Sequence, residues 1–129
     1  MVMVFKRALL GVVMISLGAC STLGPGADGN WVGYTESGEA SYYADRHQNQ
    51  KTASGERYQH AARTAAHKKM PFGTKVKVTN VANGKSVVVR INDRGPFVRG
   101  RIIDLSKSAF ASIANLSAGV VKVKIEVVR

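Results

Sequence analysis

Four side chains of this sequence stand where they could handle protons. They are Glu56 in Thr52-Ala53-Ser54-Gly55-Glu56, His67 in Thr64-Ala65-Ala66-His67, Asp93 in Asn92-Asp93-Arg94-Gly95-Pro96, and Asp104 in Arg101-Ile102-Ile103-Asp104-Leu105-Ser106. Each ends a strand-like run or sits in a Gly-containing turn. Acidic residues are scarce, 8 among 129, and Asp28, Glu36 and Glu39 fall in or beside a Gly-rich N-terminal stretch. The placement of the remainder therefore carries information. Asp104 follows Ile102 and Ile103, and a carboxyl at the edge of an apolar strand holds its proton more tightly than one in water, as a general acid must. The same residue could instead cap a helix that begins after Ser106. Asp93 opens Asp-Arg-Gly-Pro, a position where Asp accepts backbone N–H bonds. Glu56 in a polar loop reads equally as a solvated side chain, and His67 as a half-buried histidine bonded to backbone. Taken singly, none of the four is diagnostic.

Around them lie basic and aromatic groups, and a basic excess suits an anionic partner: nucleic acid, a membrane surface or an acidic polymer. Lys68, Lys69, Arg94, Arg99 and Arg101 flank the same segments. Tyr42 and Tyr43 are neighbours in a strand-like run, so they point to opposite faces. One belongs to the core, and the other, taken as Tyr43, could form with Phe97 a platform for a sugar ring. The sequence holds 19 Lys+Arg against 8 Asp+Glu, a net charge of +11, which implies an anionic partner. His47, His60 and His67 lack ligand spacing, and a single cysteine excludes a multi-cysteine zinc site and an internal disulfide framework. No metal and no cofactor are expected.

The elements that must position these residues are mostly strands. The sequence predicts strands at Glu39–Tyr43, Lys75–Asn80, Ser86–Asn92, Arg101–Leu105 and Val121–Val127, with a short extended piece at 64–67. Residues 44–60 read as a long polar loop, Met70–Gly73 and Asp93–Pro96 as turns, and Asn83-Gly84 as a hairpin turn. Ser106 is a good N-cap for a helix over Lys107–Asn115, with Ala109, Phe110, Ile113 and Ala114 on one stripe. About six short strands and one helix solve their edge problem best by closing into a small barrel.

The N-terminus carries a processing signal. Lys6 and Arg7 precede an apolar run over 8–19, too short to span a bilayer, and no run of 18 or more apolar residues exists. The run ends in Leu17-Gly18-Ala19-Cys20, which looks like a bacterial lipobox. On this reading residues 1–19 are a lipoprotein signal peptide and Cys20 is acylated. Residues 20–37 are then a flexible tether and 38–129 the barrel. Removal of Lys6 and Arg7 leaves 17 basic against 8 acidic side chains. Ser21 after the cysteine favours, by resemblance to lipoproteins of diderm bacteria, the periplasmic face of the outer membrane, with membrane contact through the lipid anchor only. Export argues against a nucleic-acid partner.

The ordered set of segments resembles the rare lipoprotein A (RlpA) family of septal lytic transglycosylases. The carriers are Gly38–Tyr43, Thr52–Glu56, Thr64–Lys68, Pro71–Thr74, Val78–Asn80, Asn83-Gly84, Asn92–Phe97 and Arg101–Ser106. The resemblance implies a mainly β fold, a six-stranded double-psi β-barrel with one short helix. It implies endolytic, non-hydrolytic cleavage of the MurNAc–GlcNAc β-1,4 bond in peptide-stripped peptidoglycan, leaving 1,6-anhydro-MurNAc ends. Glu56, His67 and Asp93 match positions important in the family's groove, and Asp104 matches the acid of related barrels. Tyr43, Lys68, Arg94, Phe97, Arg99 and Arg101 would bind the glycan. Many relatives add a SPOR domain after the barrel, whereas this sequence stops at Arg129. The alternative is an expansin-like barrel that binds the wall without cutting it.

Overall fold

The computed structural model describes residues 30–129. The leader, Cys20 and most of the expected tether lie outside the described residues. Trp31–Arg129 fold as one unit.

Period-2 alternation sets the strands. In β3 (Lys75–Asn80) the lysines at 75 and 77 are exposed while Val76 and Val78 are buried. β4 (Ser86–Asp93) buries Val87, Val89 and Ile91, and β6 (Val121–Val128) buries Val123, Ile125 and Val127. β5 (Arg101–Leu105) buries Ile103 and Leu105, and β2 (Thr64–Ala66) is buried throughout. β1 spans Thr35–Tyr42. These six close into a barrel in the order β1-β5-β2-β4-β3-β6, with β1/β5 and β2/β4 parallel and the other neighbours antiparallel. This is the double-psi barrel that the sequence led us to expect.

The helix α1 (Lys107–Ile113) turns Ala109, Phe110 and Ile113 into the core, and the Ser106 side chain accepts from the Ala109 N–H as its N-cap. It stops two residues before the predicted Asn115. There the β3–β4 loop intervenes, because Asn80 Nδ2 and Asn83 Nδ2 both donate to the Ile113 carbonyl, at 2.8 and 3.0 Å. Those side chains satisfy an end carbonyl of the helix that would otherwise lack a partner. One close packing contact favours glycine. A Cβ on Gly38 would lie 2.6 Å from Ile102 Cγ2, so a larger residue would have to displace the Ile102 side chain.

Three expectations are corrected. The barrel starts before Gly38: β1 begins at Thr35, and Trp31 and Tyr34 pack on the core with their rings edge-on at 5.2 Å. The 44–60 loop is not wholly polar surface. It contains a short 3-10 turn at Asp45–His47 and buries Tyr58 almost completely, at 1% exposure. Asp93–Pro96 is not a tight turn, because Asp93 is still in β4 and the chain stays irregular until it turns at 98–101, where Arg101 N–H donates to Val98 O at 3.1 Å.

Candidate active site

The barrel register lines up one row of residues across four strands. Ser41 of β1 lies beside Asp104 of β5, Asp104 lies opposite Ala66 of β2, and Ala66 lies beside Asp93 of β4. The Cα atoms of the two aspartates are therefore two strand spacings apart, roughly 10 Å. The residue between them is a buried alanine, whose small side chain leaves the space above it open.

The two carboxyls have different surroundings. Asp104 Oδ1 accepts a hydrogen bond from the Ser41 hydroxyl. Burial pushes the Asp104 carboxyl above the ordinary aspartate range. The Ser41 bond pulls it back, as do the charges of Arg101 and His47, while the Asp93 charge raises it further. Asp93 serves as an acceptor: Oδ2 takes the Tyr43 hydroxyl at 2.7 Å, and Oδ1 takes the Ala53 and Arg94 N–H groups at 2.8 and 2.9 Å. The Tyr43 ring stacks on Tyr58 at 4.1 Å. Burial first, and then the Asp93 bond, push the Tyr43 phenol far above its ordinary value, so it keeps its proton and donates it to Asp93.

Both aspartates face an open hollow of about 400 Å³ that is also lined by Tyr43, Arg94, Phe97 and Arg101. A second hollow of about 550 Å³ shares Ser41, Tyr42, Ala44 and Arg101 with it and continues toward Lys107 and Val120. Together they form one trough, joined at Ser41 and Arg101, with Asp104 on one side of the junction. Phe97 is 78% exposed on its rim. Six of the residues singled out in the sequence thus meet in one place: Asp93, Asp104, Tyr43, Arg94, Phe97 and Arg101.

Four others do not. Glu56 is exposed and lines neither hollow; its carboxylate is bound by Arg90 NH1 at 3.0 and 2.9 Å and by Asn92 Nδ2 at 2.9 Å. The Asn92 and Arg90 bonds hold the Glu56 carboxyl below its ordinary value. These contacts fasten the 52–56 loop to β4, and that loop supplies the Ala53 N–H to Asp93. His67 follows Ala66, and in a chain leaving a strand its side chain turns to the opposite face. There it lines a separate cavity of about 250 Å³ with Trp31, Tyr34, Glu36, Lys68 and Lys69. Lys68 therefore also lies away from the trough. Arg99 is exposed in the 98–101 turn, between the lining residues Val98 and Arg101.

Several residues that shape the site went unnoticed in the sequence. Ser41 and Ala66 belong to the row only through strand register. Arg46 and His47 line the trough from the loop after β1. Tyr58 backs Tyr43 and accepts the Lys107 N–H at 3.0 Å. A tyrosine inside an otherwise polar loop was the one local sign of that burial.

Comparison with known proteins follows the same lines. The family described as Lytic transglycolase matches residues 35–125. The probable endolytic peptidoglycan transglycosylase RlpA of Synechocystis is 53% identical over 94 residues, covering 73% of this chain and 29% of that protein. The endolytic peptidoglycan transglycosylase RlpA of Vibrio cholerae is 53% identical over 96 residues, covering 74% and 36%. The chain spans about a third of the length of these curated relatives. Among solved structures, a Streptomyces papain inhibitor superposes with a TM-score of 0.62 at 27% identity, covering 76% of this chain and 97% of the other. An expansin from Clavibacter michiganensis gives 0.58 at 23% identity, covering 74% and 50%, and shares the fold.

Proposed function

Because this chain belongs to the RlpA family of double-psi barrel lytic transglycosylases, we propose that it cuts peptidoglycan glycan strands endolytically at the MurNAc–GlcNAc β-1,4 bond. The observation that carries the reading is the pair of unlike carboxyls in one trough: Asp104, whose proton affinity burial raises, and Asp93, which accepts three hydrogen bonds. The reaction needs one group that gives a proton and takes one back. Asp104 protonates the glycosidic oxygen as the C1–O4 bond breaks and the anomeric carbon gains oxocarbenium character. The GlcNAc leaves with its new O4–H. The MurNAc C6 hydroxyl then attacks C1, and its proton passes to the Asp104 carboxylate. A 1,6-anhydro ring closes, no water is consumed, and Asp104 ends protonated as it began.

The trough's shape supports attack within a strand, since its two hollows meet at Ser41 and Arg101, beside Asp104. Its charge supports a preference for peptide-stripped glycan, in which every MurNAc exposes a lactyl carboxylate. Arg94 and Arg101 line the trough to meet such groups, and Phe97 offers a ring face at its rim. Incubating the protein with amidase-treated and intact sacculi, followed by product mass analysis, tests the reading. Anhydro ends released from the stripped sacculi are expected. Binding without release of such ends would identify a wall-binding barrel instead.

Long-range attraction to a polyanion shortens with the Debye length, from about 10 Å at 0.1 M salt to about 3 Å at 1 M. Co-sedimentation with stripped glycan should therefore fall strongly across that range, and Arg101→Ala should weaken it at low salt. Retention unchanged by salt would contradict an electrostatic contribution.

The reading includes anchoring through Cys20 to the periplasmic face of the outer membrane, supported by the Leu17-Gly18-Ala19-Cys20 sequence after a short apolar run. Cys20→Ala is expected to accumulate uncleaved precursor and to take up no labelled fatty acid. Normal maturation and labelling of that variant would rule the anchor out.

A further inference from the structure

His67 stands outside the trough, yet a chain of contacts leads from it back in. Its Nδ1 accepts two backbone N–H groups, Lys69 at 3.0 Å and Met70 at 3.1 Å, which pins the 67–70 turn around the ring. An Nδ1 that accepts leaves the ring hydrogen on Nε2, and Nε2 donates to Glu36 Oε1 at 2.9 Å. Both nitrogens are thereby committed, and the side chain is buried at 5% exposure. Neither nitrogen is free to trade a proton with a sugar.

The pinned turn grips an arginine of the trough. Arg94 NH1 donates to the Met70 carbonyl at 2.8 Å and to the His67 carbonyl at 3.3 Å, and the guanidinium lies over the Phe72 ring at 4.2 Å. The His67 backbone N–H also holds the Asp93 carbonyl, at 3.2 Å. The two carbonyls that aim Arg94 thus bracket the segment that His67 Nδ1 closes. A guanidinium held at one nitrogen and stacked on one face keeps its other donors in a fixed fork, the geometry that suits a carboxylate.

We propose that Glu36 and His67 are a positioning pair that holds the 67–70 turn, and through it Arg94, in place to receive a sugar carboxylate in the trough. The proposal rests on the glycan-cleaving reading above and adds to it two residues that act on binding rather than on the proton. Glu36 fixes the His67 ring, the ring fixes the turn, and the turn fixes the guanidinium. The carboxylate is that of a lactyl-bearing, peptide-free sugar. His67 is thereby a positioning residue and not a general acid or base.

The test measures the affinity of the full chain for stripped glycan by co-sedimentation, and kcat and KM separately wherever anhydro ends form. Arg94→Ala and His67→Ala should each weaken binding or raise KM about five- to tenfold, the scale of one or two net hydrogen bonds. Their kcat should change much less. In the double variant the two losses should not add, because His67 acts through Arg94. Glu36→Ala, which leaves the turn's own backbone untouched, should show a smaller loss of the same kind, and Glu36→Gln should rescue it by keeping an oxygen for Nε2–H. His67→Asn should rescue most of the His67→Ala loss, since its Oδ1 can accept the same two N–H groups. Should His67→Ala fail to fold, Glu36→Ala in the Arg94→Ala background gives the same cycle. Additive losses would overturn the proposal. So would a His67→Asn variant that binds glycan normally but has lost kcat, which would return His67 to the chemistry. The binding arm reads the relay even if wild type releases no anhydro ends, so failure of the cleavage reading is seen separately.

Discussion

Asp104→Asn should release anhydro-muropeptides about 10²–10⁴-fold more slowly than wild type, the span general acid catalysis covers, while still sedimenting with stripped glycan. The amide keeps an oxygen for the Ser41 hydroxyl but has no proton to give. The same variant should be more stable at neutral pH, and the sign follows from linkage. Burial raises the Asp104 carboxyl above its unfolded value, so at neutral pH folding must bury a charge that the unfolded chain keeps in water. As pH falls through the raised folded value toward the ordinary aspartate range, wild type takes up the proton and recovers that stability. Thermal melts from pH 3 to pH 8 should show the Asn variant above wild type at pH 7 and level with it at the acid end. In the rate profile, the acid must be protonated, so wild-type activity should decline on the alkaline side of the raised value. If Asp104→Asn keeps full activity and Asp93→Asn loses it, the acid is Asp93.

Asp93→Ala should be the more damaging change to the fold. Three donors converge on that carboxylate, from Tyr43, Ala53 and Arg94. Removing it leaves the partly buried Tyr43 hydroxyl unpaired and takes away the Ala53 bond, one of several that hold the 52–56 loop to β4. Leaving a buried donor unsatisfied costs about 1–3 kcal/mol, and the melting temperature should fall accordingly. Asp93→Asn should recover most of the loss, because its Oδ1 can still accept both backbone N–H groups and the Tyr43 hydroxyl can turn to accept from its amide. Chemical denaturation of the two variants measures the difference directly; equal stability of Ala and Asn at this position would mean that the three bonds contribute nothing.

What could be read without coordinates was what local pattern encodes. The Lys75-Val76-Lys77-Val78 and Val121–Val127 alternations fix which side faces the core, so those strands appear where expected. Asp93 ends β4 and Asp104 lies one residue before the end of β5, so the apolar runs before them place both near strand ends. Ser41 and Ala66 were silent, because the row they belong to exists only once β1, β5, β2 and β4 are in register. Residues 31–37 belong to the expected 20–37 tether because residues 21–38 are rich in Gly, Ser, Thr, Asp and Asn. Trp31 and Tyr34 were the contrary signal, two large aromatic surfaces that a solvated linker has no reason to carry. The family resemblance puts His67 in the groove, whereas strand alternation turns it the other way. Its partner Glu36 lies on β1, distant in sequence, and no local rule joins them.

The strand order also governs when this chain can fold at all. β1 pairs only with β5 and β6, so Thr35 must await Glu126 at the far end of the chain. The one hairpin whose strands are near neighbours in sequence is β3–β4, which pairs Lys75 through Thr79 with Ser86 through Arg90 and can form early and alone. Every other pairing between the six strands spans a longer separation, and such pairings carry a loop-closure cost before they return any stabilisation. A chain emerging N-terminus first therefore holds its first strand unpaired until β5 arrives, and half-paired until the last strand does. Removing Val121–Val128 would strip one partner from β1 and one from β3 together, opening two edges able to recruit strands from other chains.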